Sequence, residues 1–353
     1  MDDLPLLPLR EPWINGCQTL VRYIQLRGSL KPRVRELIEL DFWWQVHKVA
    51  QADARPFVLE MLRMKAPKGV QANVLAAFNR TEDGNEMYFD IAIVTVIQEE
   101  LLAAKIVFGI ADAKADRRID GFQYWFAAIT TEEGDSLRVV ITMIGESGPK
   151  PCFNACERLF AGFGIGLCIL CGIAAGVKEK LKLGDVLMAK AVLDYESARL
   201  EPGGPEKRPQ QAVLDKLIYR DLLYFDPGQG WHVLLDKCLE DLRTRRPEVP
   251  IEGEWRPSCR LGVLLSGEKL VADGSLPAMR KEYHEEGVAL EMEGSGFASC
   301  CREHTVPWLI FRGISDHGDP EKSALGRWQA PAALAAATLI RTFLTTSYHP
   351  LGR

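Results

Sequence analysis

The chain has 353 residues with 43 Lys+Arg against 48 Asp+Glu, and 47% of it is hydrophobic and 26% charged. This balance excludes a disordered or fibrous chain and leaves room for two domains. A formal net charge of −5 supplies no global electropositive field, so neither nucleic acid nor an anionic membrane surface is an expected partner.

In chain order, the first segment reads as helical. Val34, Leu37, Ile38, Phe42, Val46 and Val49 are spaced as one helix face, Pro56 opens a second run through Phe57, Val58, Met61 and Leu62, and a shorter set follows at Val70, Val74, Leu75 and Phe78. The polar stretch Asn79–Glu86, with Asp83-Gly84, has nothing to bury. It marks the boundary between a small all-helical regulatory or assembly domain over residues 1–85 and a second domain over residues 88–350.

The pattern then changes character. Asp90–Val96 is a near-continuous β-prone run, followed at once by a helical segment over Glu99–Phe108. Strands are expected at Phe122–Ile129, Leu137–Ile144, Gly166–Gly172, Asp185–Leu193, Arg260–Leu265 and Trp308–Gly313. Helices are expected at Phe153–Phe163, Gln211–Leu222, His232–Arg243, Leu276–Glu285, Gly294–Glu303 and Ala330–Thr346. The alternation predicts an α/β fold with a mixed central sheet flanked by helices, and Ser197–Arg260, rich in Pro, Gly and charge, is expected to make long surface excursions.

No run of 18 apolar residues occurs, and Met1-Asp2-Asp3 stands where a signal peptide would carry Lys or Arg, so a soluble cytoplasmic protein is expected. The nine cysteines fit that compartment. Cys168 and Cys171 lie inside a run that reads as a buried strand, and no cysteine is read as paired with a histidine at zinc-ligand spacing. No metal and no cofactor are expected.

Three carboxylate-bearing segments fall where strands end: Gln98-Glu99-Glu100, Leu290-Glu291-Met292-Glu293-Gly294 and Arg312-Gly313-Ile314-Ser315-Asp316. One alone would be an ordinary solvated loop acid, whereas three at strand ends, where ligands of open α/β sheets bind, point to a site. Glycine-rich turns at Ile144–Gly148 and Cys171–Gly176, carrying Gly145 and Gly172, either let backbone N–H groups approach a ligand or simply make tight turns. There is no Walker A sequence, and Gly162-x-Gly164-x-Gly166 precedes a strand, so it is not a dinucleotide fingerprint.

In order and spacing, Ile91–Leu101, Gly172–Gly176 with Leu183-Gly184-Asp185, Ser266-Gly267-Glu268, Glu291-Met292-Glu293 and Arg312–Asp316 together resemble the purine nucleoside phosphorylase superfamily over residues 88–347. The nearest resemblance is to 5′-methylthioadenosine/S-adenosylhomocysteine nucleosidases and to the nucleosidase domains of bacterial conflict and immunity proteins. It implies hydrolysis of the N-glycosidic bond of an adenine nucleoside or nucleotide, with release of free base, in a nucleotide-depleting immune effector. It further implies that Asp316 is the acid near purine N7, Glu100 the base that activates water, and Glu293 the residue that binds the ribose hydroxyls. Glu291, Gly145 and Gly172 belong to the substrate side, Met292 packs on the sugar, Ser315 lies near the base, and Leu270 and Val271 take the purine-stacking and base-edge positions. The chemistry agrees, because the purine must not leave as an anion and an oxocarbenium-like cation is stabilised by nearby carboxylates.

Alternatives stay open. Asp316 could cap a helix and Met292 could fill a core. Leu270 stands where the nucleosidases carry an aromatic, so stacking is expected to be weaker or to come from another ring such as Trp125, Tyr195 or Trp255. Phosphorylases of the superfamily hold phosphate with a Pro-Gly-Asp turn and an arginine; Val96–Glu100 offers carboxylates instead, which suit water better than a dianion. A phosphate-dependent phosphorylase using the Gly145–Gly148 turn, or a non-catalytic nucleotide sensor, is the competing reading. Arg199, Lys207 and Arg208 are either candidate 5′-phosphate contacts, favouring adenine nucleotides over methylthioadenosine, or a solvated charged loop. A homo-oligomer is expected, with residues 1–85 as the place for a protein partner.

Overall fold

A computed structural model describes residues 87–201, 204–251 and 253–348. The expected helical domain over 1–85 and the boundary that follows it lie outside the described residues.

Strand β1 (Met87–Thr95) has Ile91 through Thr95 buried, because it lies between parallel neighbours β4 (Ser136–Met143) and β5 (Phe163–Gly176). This explains its near-continuous apolar sequence, since a strand covered on both faces has no solvent side to make polar. Beyond β4 come β3 (Phe122–Thr130) and β2 (Arg117–Ile119), both antiparallel. On the other side of β5 lie β12 (Trp308–Asp316), β6 (Val186–Asp194), β10 (Cys259–Ser266) and β11 (Gly287–Glu291). β11 also pairs antiparallel with the end of β5 at Ala175 and Gly176, so that this half of the ten-stranded sheet closes on itself. The sheet is therefore mixed, as the alternation predicts.

Helices cover it. α1 (Gln98–Val107) follows β1, α2 (Pro149–Gly162) leads into β5, and α3 (Lys216–Tyr224), α4 (Gly228–Arg245), α5 (Leu276–Tyr283), α6 (Gly294–Glu303) and α7 (Gln329–Thr346) complete the set. Every residue of α7 from Ala330 to Ile340 is buried, and its many alanines let backbone approach backbone. At Gly313 of β12 a Cβ would stand 1.9 Å from the Ala332 carbonyl oxygen, so only glycine lets the helix rest there. Among the described residues no helix is long and apolar enough to cross a membrane.

Most expected elements form within a few residues of their expected bounds, and the departures have physical causes. Gln211–Leu222 is not one helix: Gln210–Val213 forms β9, which pairs antiparallel with β6, and Asp215 then caps α3 by accepting the Leu217 N–H at 2.8 Å. The excursion after β6 also folds a hairpin, β7 (Ala198–Glu201) with β8 (Gly204–Lys207). Cys168 and Cys171, three residues apart on β5, point to opposite faces. The Cys168 thiol meets those of Cys156 and Cys301, and the Cys171 thiol is buried within the field of Glu100 and Arg312.

Candidate active site

The strand order brings the carboxyl ends of β1, β5, β10, β11 and β12 together, and the three acidic segments meet there in one pocket. β1 ends at Thr95, and the first turn of α1 turns Glu100 back over the strand end. Glu100 Oε2 accepts the N–H groups of Val96 (2.6 Å) and Ile97 (3.3 Å), and Oε1 accepts that of Ile173 (2.9 Å) beyond β5 residue Gly172. A Cβ on Gly172 would stand 2.3 Å from Glu100 Oε1 and 2.2 Å from Arg312 Nη1, so a side chain there would displace both.

Arg312, on β12, is the hub. It is fully buried, with Nη2 bonded to Glu291 and 3.2 Å from Glu293 Oε2, and Nη1 3.7 Å from Glu100 Oε1. One guanidinium thus serves three carboxylates, and its Nε and Nη1 have no hydrogen-bond partner. Arg312 opens the Arg312–Asp316 motif without an expected role of its own; a lone arginine in a strand between apolar residues is itself the signal, since arginine is almost never fully buried unless paired.

The remaining polar groups are held by backbone. Glu291 accepts the N–H groups of Glu293 and Gly294 at 2.9–3.0 Å, capping α6 where unpaired donors and the helix dipole favour a negative charge. Glu293 Oε1 accepts the Gly148 N–H (2.9 Å) from the start of α2. Asp316 is not a helix cap: it ends β12, its Oδ2 accepting the Ser315 hydroxyl (3.0 Å) and Oδ1 the Gly318 N–H (2.9 Å), while Asp319 caps the 3₁₀ turn that follows.

Burial and crowding shape the titration. Burial raises the Glu100 carboxyl above its ordinary value, opposed by Arg312 and by three N–H donors. Burial, then the charge of Glu291, push Glu293 up to about 7, with Arg312 opposing. Both groups therefore hold protons more tightly than a free glutamate does. At about 7, Glu293 exchanges its proton near neutral pH.

The profile of the phosphorylase superfamily matches residues 90–345. The chain belongs to the phosphorylase superfamily. Among curated relatives, it is 30% identical over 258 residues to the ATP nucleosidase Cap17 of Escherichia coli (strain KTE188), an alignment covering 72% of this chain and 50% of that protein. It is 27% identical over 242 residues to the 5′-methylthioadenosine/S-adenosylhomocysteine nucleosidase of Mycobacterium bovis, covering 65% and 86% of the two chains. The chain thus spans about half the length of the first of these relatives. Among solved structures, the Neisseria meningitidis 5′-methylthioadenosine/S-adenosylhomocysteine nucleosidase in complex with methylthio-immucillin-A has a TM-score of 0.54 at 17% identity, covering 72% of this chain and 98% of that one. That likeness is one of fold.

In this phosphorylase-superfamily chain, Glu100, Leu270, Val271, Glu291, Met292, Glu293, Ser315 and Asp316 line the same pocket. Gly172 lies behind Glu100, and Gly145 donates its N–H to the Val96 carbonyl (2.9 Å), bracing the strand end. Arg199, Lys207 and Arg208 do not reach the pocket: they sit exposed on or beside the β7–β8 hairpin, where Arg199 pairs with Glu201, Lys207 with Glu282 and Arg208 with Glu206. Each has an acidic partner at short range, and Lys207 also lies over the Tyr283 ring at 4.6 Å. Of the three suggested rings, Trp125 is tied to the Ala113 carbonyl under Lys105, and Trp255 packs on Gly184 and Trp328. Only Tyr195 shares a cleft with Leu270 and Val271, its ring 5.5 Å from that of Tyr283. Leu270 itself is 67% exposed at the pocket rim.

Proposed function

We propose that this chain hydrolyses the N-glycosidic bond of an adenine nucleoside or nucleotide in the cytoplasm, releasing free base. The charge of the pocket carries the reading. Glu100, Glu291, Glu293 and Asp316 all line it, Arg312 is already engaged by three of them, and Lys269 on the rim pairs with Glu196 at 2.5 Å. Among the described residues no arginine lines the pocket, so a phosphate dianion entering there meets carboxylates, whereas water meets a base.

The roles follow from the positions. Water attacks C1′ and gives its proton to Glu100, which burial makes more basic while its three backbone bonds leave a lone pair free on Oε1. The glycosidic bond breaks toward the purine, whose N7 takes a proton from the Asp316 side, so the base leaves neutral. Glu293 binds the ribose hydroxyls, and its charge with that of Glu291 stabilises the oxocarbenium-like transition state. Met292 packs on the sugar, and Leu270 and Val271 cover the base.

The two relatives' names support the two substrate arms: an ATP nucleosidase the nucleotide, a methylthioadenosine nucleosidase the nucleoside. We favour the nucleotide, in a nucleotide-depleting immune effector, with self-association and a protein partner for residues 1–85. The test incubates the full chain, free of phosphate, with ATP, AMP, adenosine and methylthioadenosine separately and quantifies adenine. Adenine released faster from a nucleotide than from methylthioadenosine supports the proposal. The reverse preference rejects the nucleotide, and folded protein that binds nucleotide without releasing base makes it a sensor. Light scattering of the full chain and of a variant lacking residues 1–85 tests self-association.

A further inference from the structure

Helices α2 and α6 run side by side, and beyond their first turns they carry side chains that the proposed reaction does not use. Cys300 and His304 are four residues apart at the end of α6, so they rise on one face. Glu157 faces them from α2. Its Oε1 lies 2.5 Å from His304 Nε2 and 3.8 Å from Cys300 Sγ, and one donor atom from each of the three lies within 4.8 Å of the others. Phe160, one turn along α2, holds the His304 ring at 5.1 Å between centroids. Cys300 is buried, whereas the side chains of His304 and Glu157 are 36% and 42% exposed, so an ion from solvent reaches the set without opening the core.

A thiolate sulfur, an imidazole nitrogen and a carboxylate oxygen are the donors of a borderline-soft divalent cation. Zn–S bonds of about 2.3 Å and Zn–N or Zn–O bonds of about 2.0–2.2 Å place tetrahedral donors roughly 3.3–3.7 Å apart, so His304 and Glu157 separate by about an ångström and a pair as wide as 4.8 Å closes by about as much. Cations that seek six oxygens find one carboxylate here and are disfavoured. The Cys300-x-x-x-His304 spacing departs from the expectation that no cysteine pairs with a histidine at zinc-ligand spacing; the third ligand comes from a residue more than a hundred positions away.

We propose that Glu157, Cys300 and His304 form a zinc-class metal site that pins α2 to α6, with a fourth position open to water. Binding displaces the Cys300 thiol proton to solvent and replaces the Glu157–His304 hydrogen bond with two metal–ligand bonds. The same two helices support the carboxylate pocket at their other ends. Gly148, just before α2, donates to Glu293, and a Cβ on Gly296 in the first turn of α6 would stand 1.9 Å from the Pro149 carbonyl oxygen. Pinning the helices thus stiffens the support of Glu293.

The test uses the full chain, reduced and stripped of metal by a chelator, titrated without oxygen with Co²⁺ as the probe and then with Zn²⁺ as competitor. One equivalent of Co²⁺ should bring the d–d bands of a tetrahedral site and a thiolate-to-cobalt charge-transfer band, both erased by Zn²⁺, with a rise in melting temperature. Cys300→Ser should abolish the charge-transfer band. His304→Gln, at a position exposed enough to spare the fold, should weaken Co²⁺ binding by at least the roughly 10–100-fold that losing a supporting partner costs. Cys301→Ala, which removes a neighbouring thiol that the site does not use, should leave the bands in place. Absence of the bands in the parent protein, undiminished affinity after His304→Gln, or bands lost with Cys301→Ala would overturn the proposal.

Discussion

Arg312 binds three buried carboxylates into one site, and its removal tests the arrangement most directly. Arg312→Met should destabilise the fold by about 3–5 kcal/mol in urea denaturation, because buried charges left without their partner cost far more than the pair contributes. Glu293 makes a prediction about pH. Its folded value of about 7 lies above the ordinary 4.5, so the folded state holds a proton that the unfolded chain releases. That contribution is fully present below about pH 4.5 and is lost as pH rises through about 7. Glu293→Gln carries no ionisation, so its melting temperature relative to the parent should climb between about pH 5 and pH 8 while adenine release falls. Asp316→Asn should keep the Gly318 contact and the fold but lose about 10²–10⁴-fold in turnover, since an amide supplies no proton. Wild-type turnover in that variant would remove Asp316 from the reaction.

At the scale of elements, the site depends on how closely helices rest on strand ends. Gly313→Ala should destabilise the protein by about 1–3 kcal/mol or more, measured by denaturant midpoint, because the added methyl meets a helix backbone carbonyl that cannot rotate away. Helix α6 was legible to the residue, Gly294–Glu303, because its start signal is local: Glu291 stands just before it and accepts the N–H groups of Glu293 and Gly294. The Gln211–Leu222 region was not legible, because Gln210–Val213 becomes a strand only by pairing with β6, and no neighbour in sequence announces that partner.

For the whole molecule, the proposed hydrolysis predicts how the reaction responds to phosphate. Adding inorganic phosphate should leave adenine release unchanged or slow it, and the sugar product should remain free ribose or its 5′-substituted form when followed by mass spectrometry. Phosphate-dependent ribose 1-phosphate would establish phosphorolysis instead. The exposed, internally paired Arg199, Lys207 and Arg208 predict no role in this choice, as exposed ion pairs contribute little and are screened by salt.

By itself the sequence determined the alternation of strands and helices, the acids at strand ends and the family resemblance, because periodicity, caps and motif order are written along the chain. Glu100, Glu293 and Asp316 were legible as a candidate set for that reason. Only the tertiary structure decided that one buried arginine joins Glu100, Glu291 and Glu293, that Tyr195 shares the cleft with Leu270, and that three candidate cations face their own acids. It also set Glu157 beside Cys300 and His304. These are contacts between residues far apart in sequence, and they exist because strand order, helix docking and the absence of a Cβ at Gly172, Gly296 and Gly313 bring them within reach.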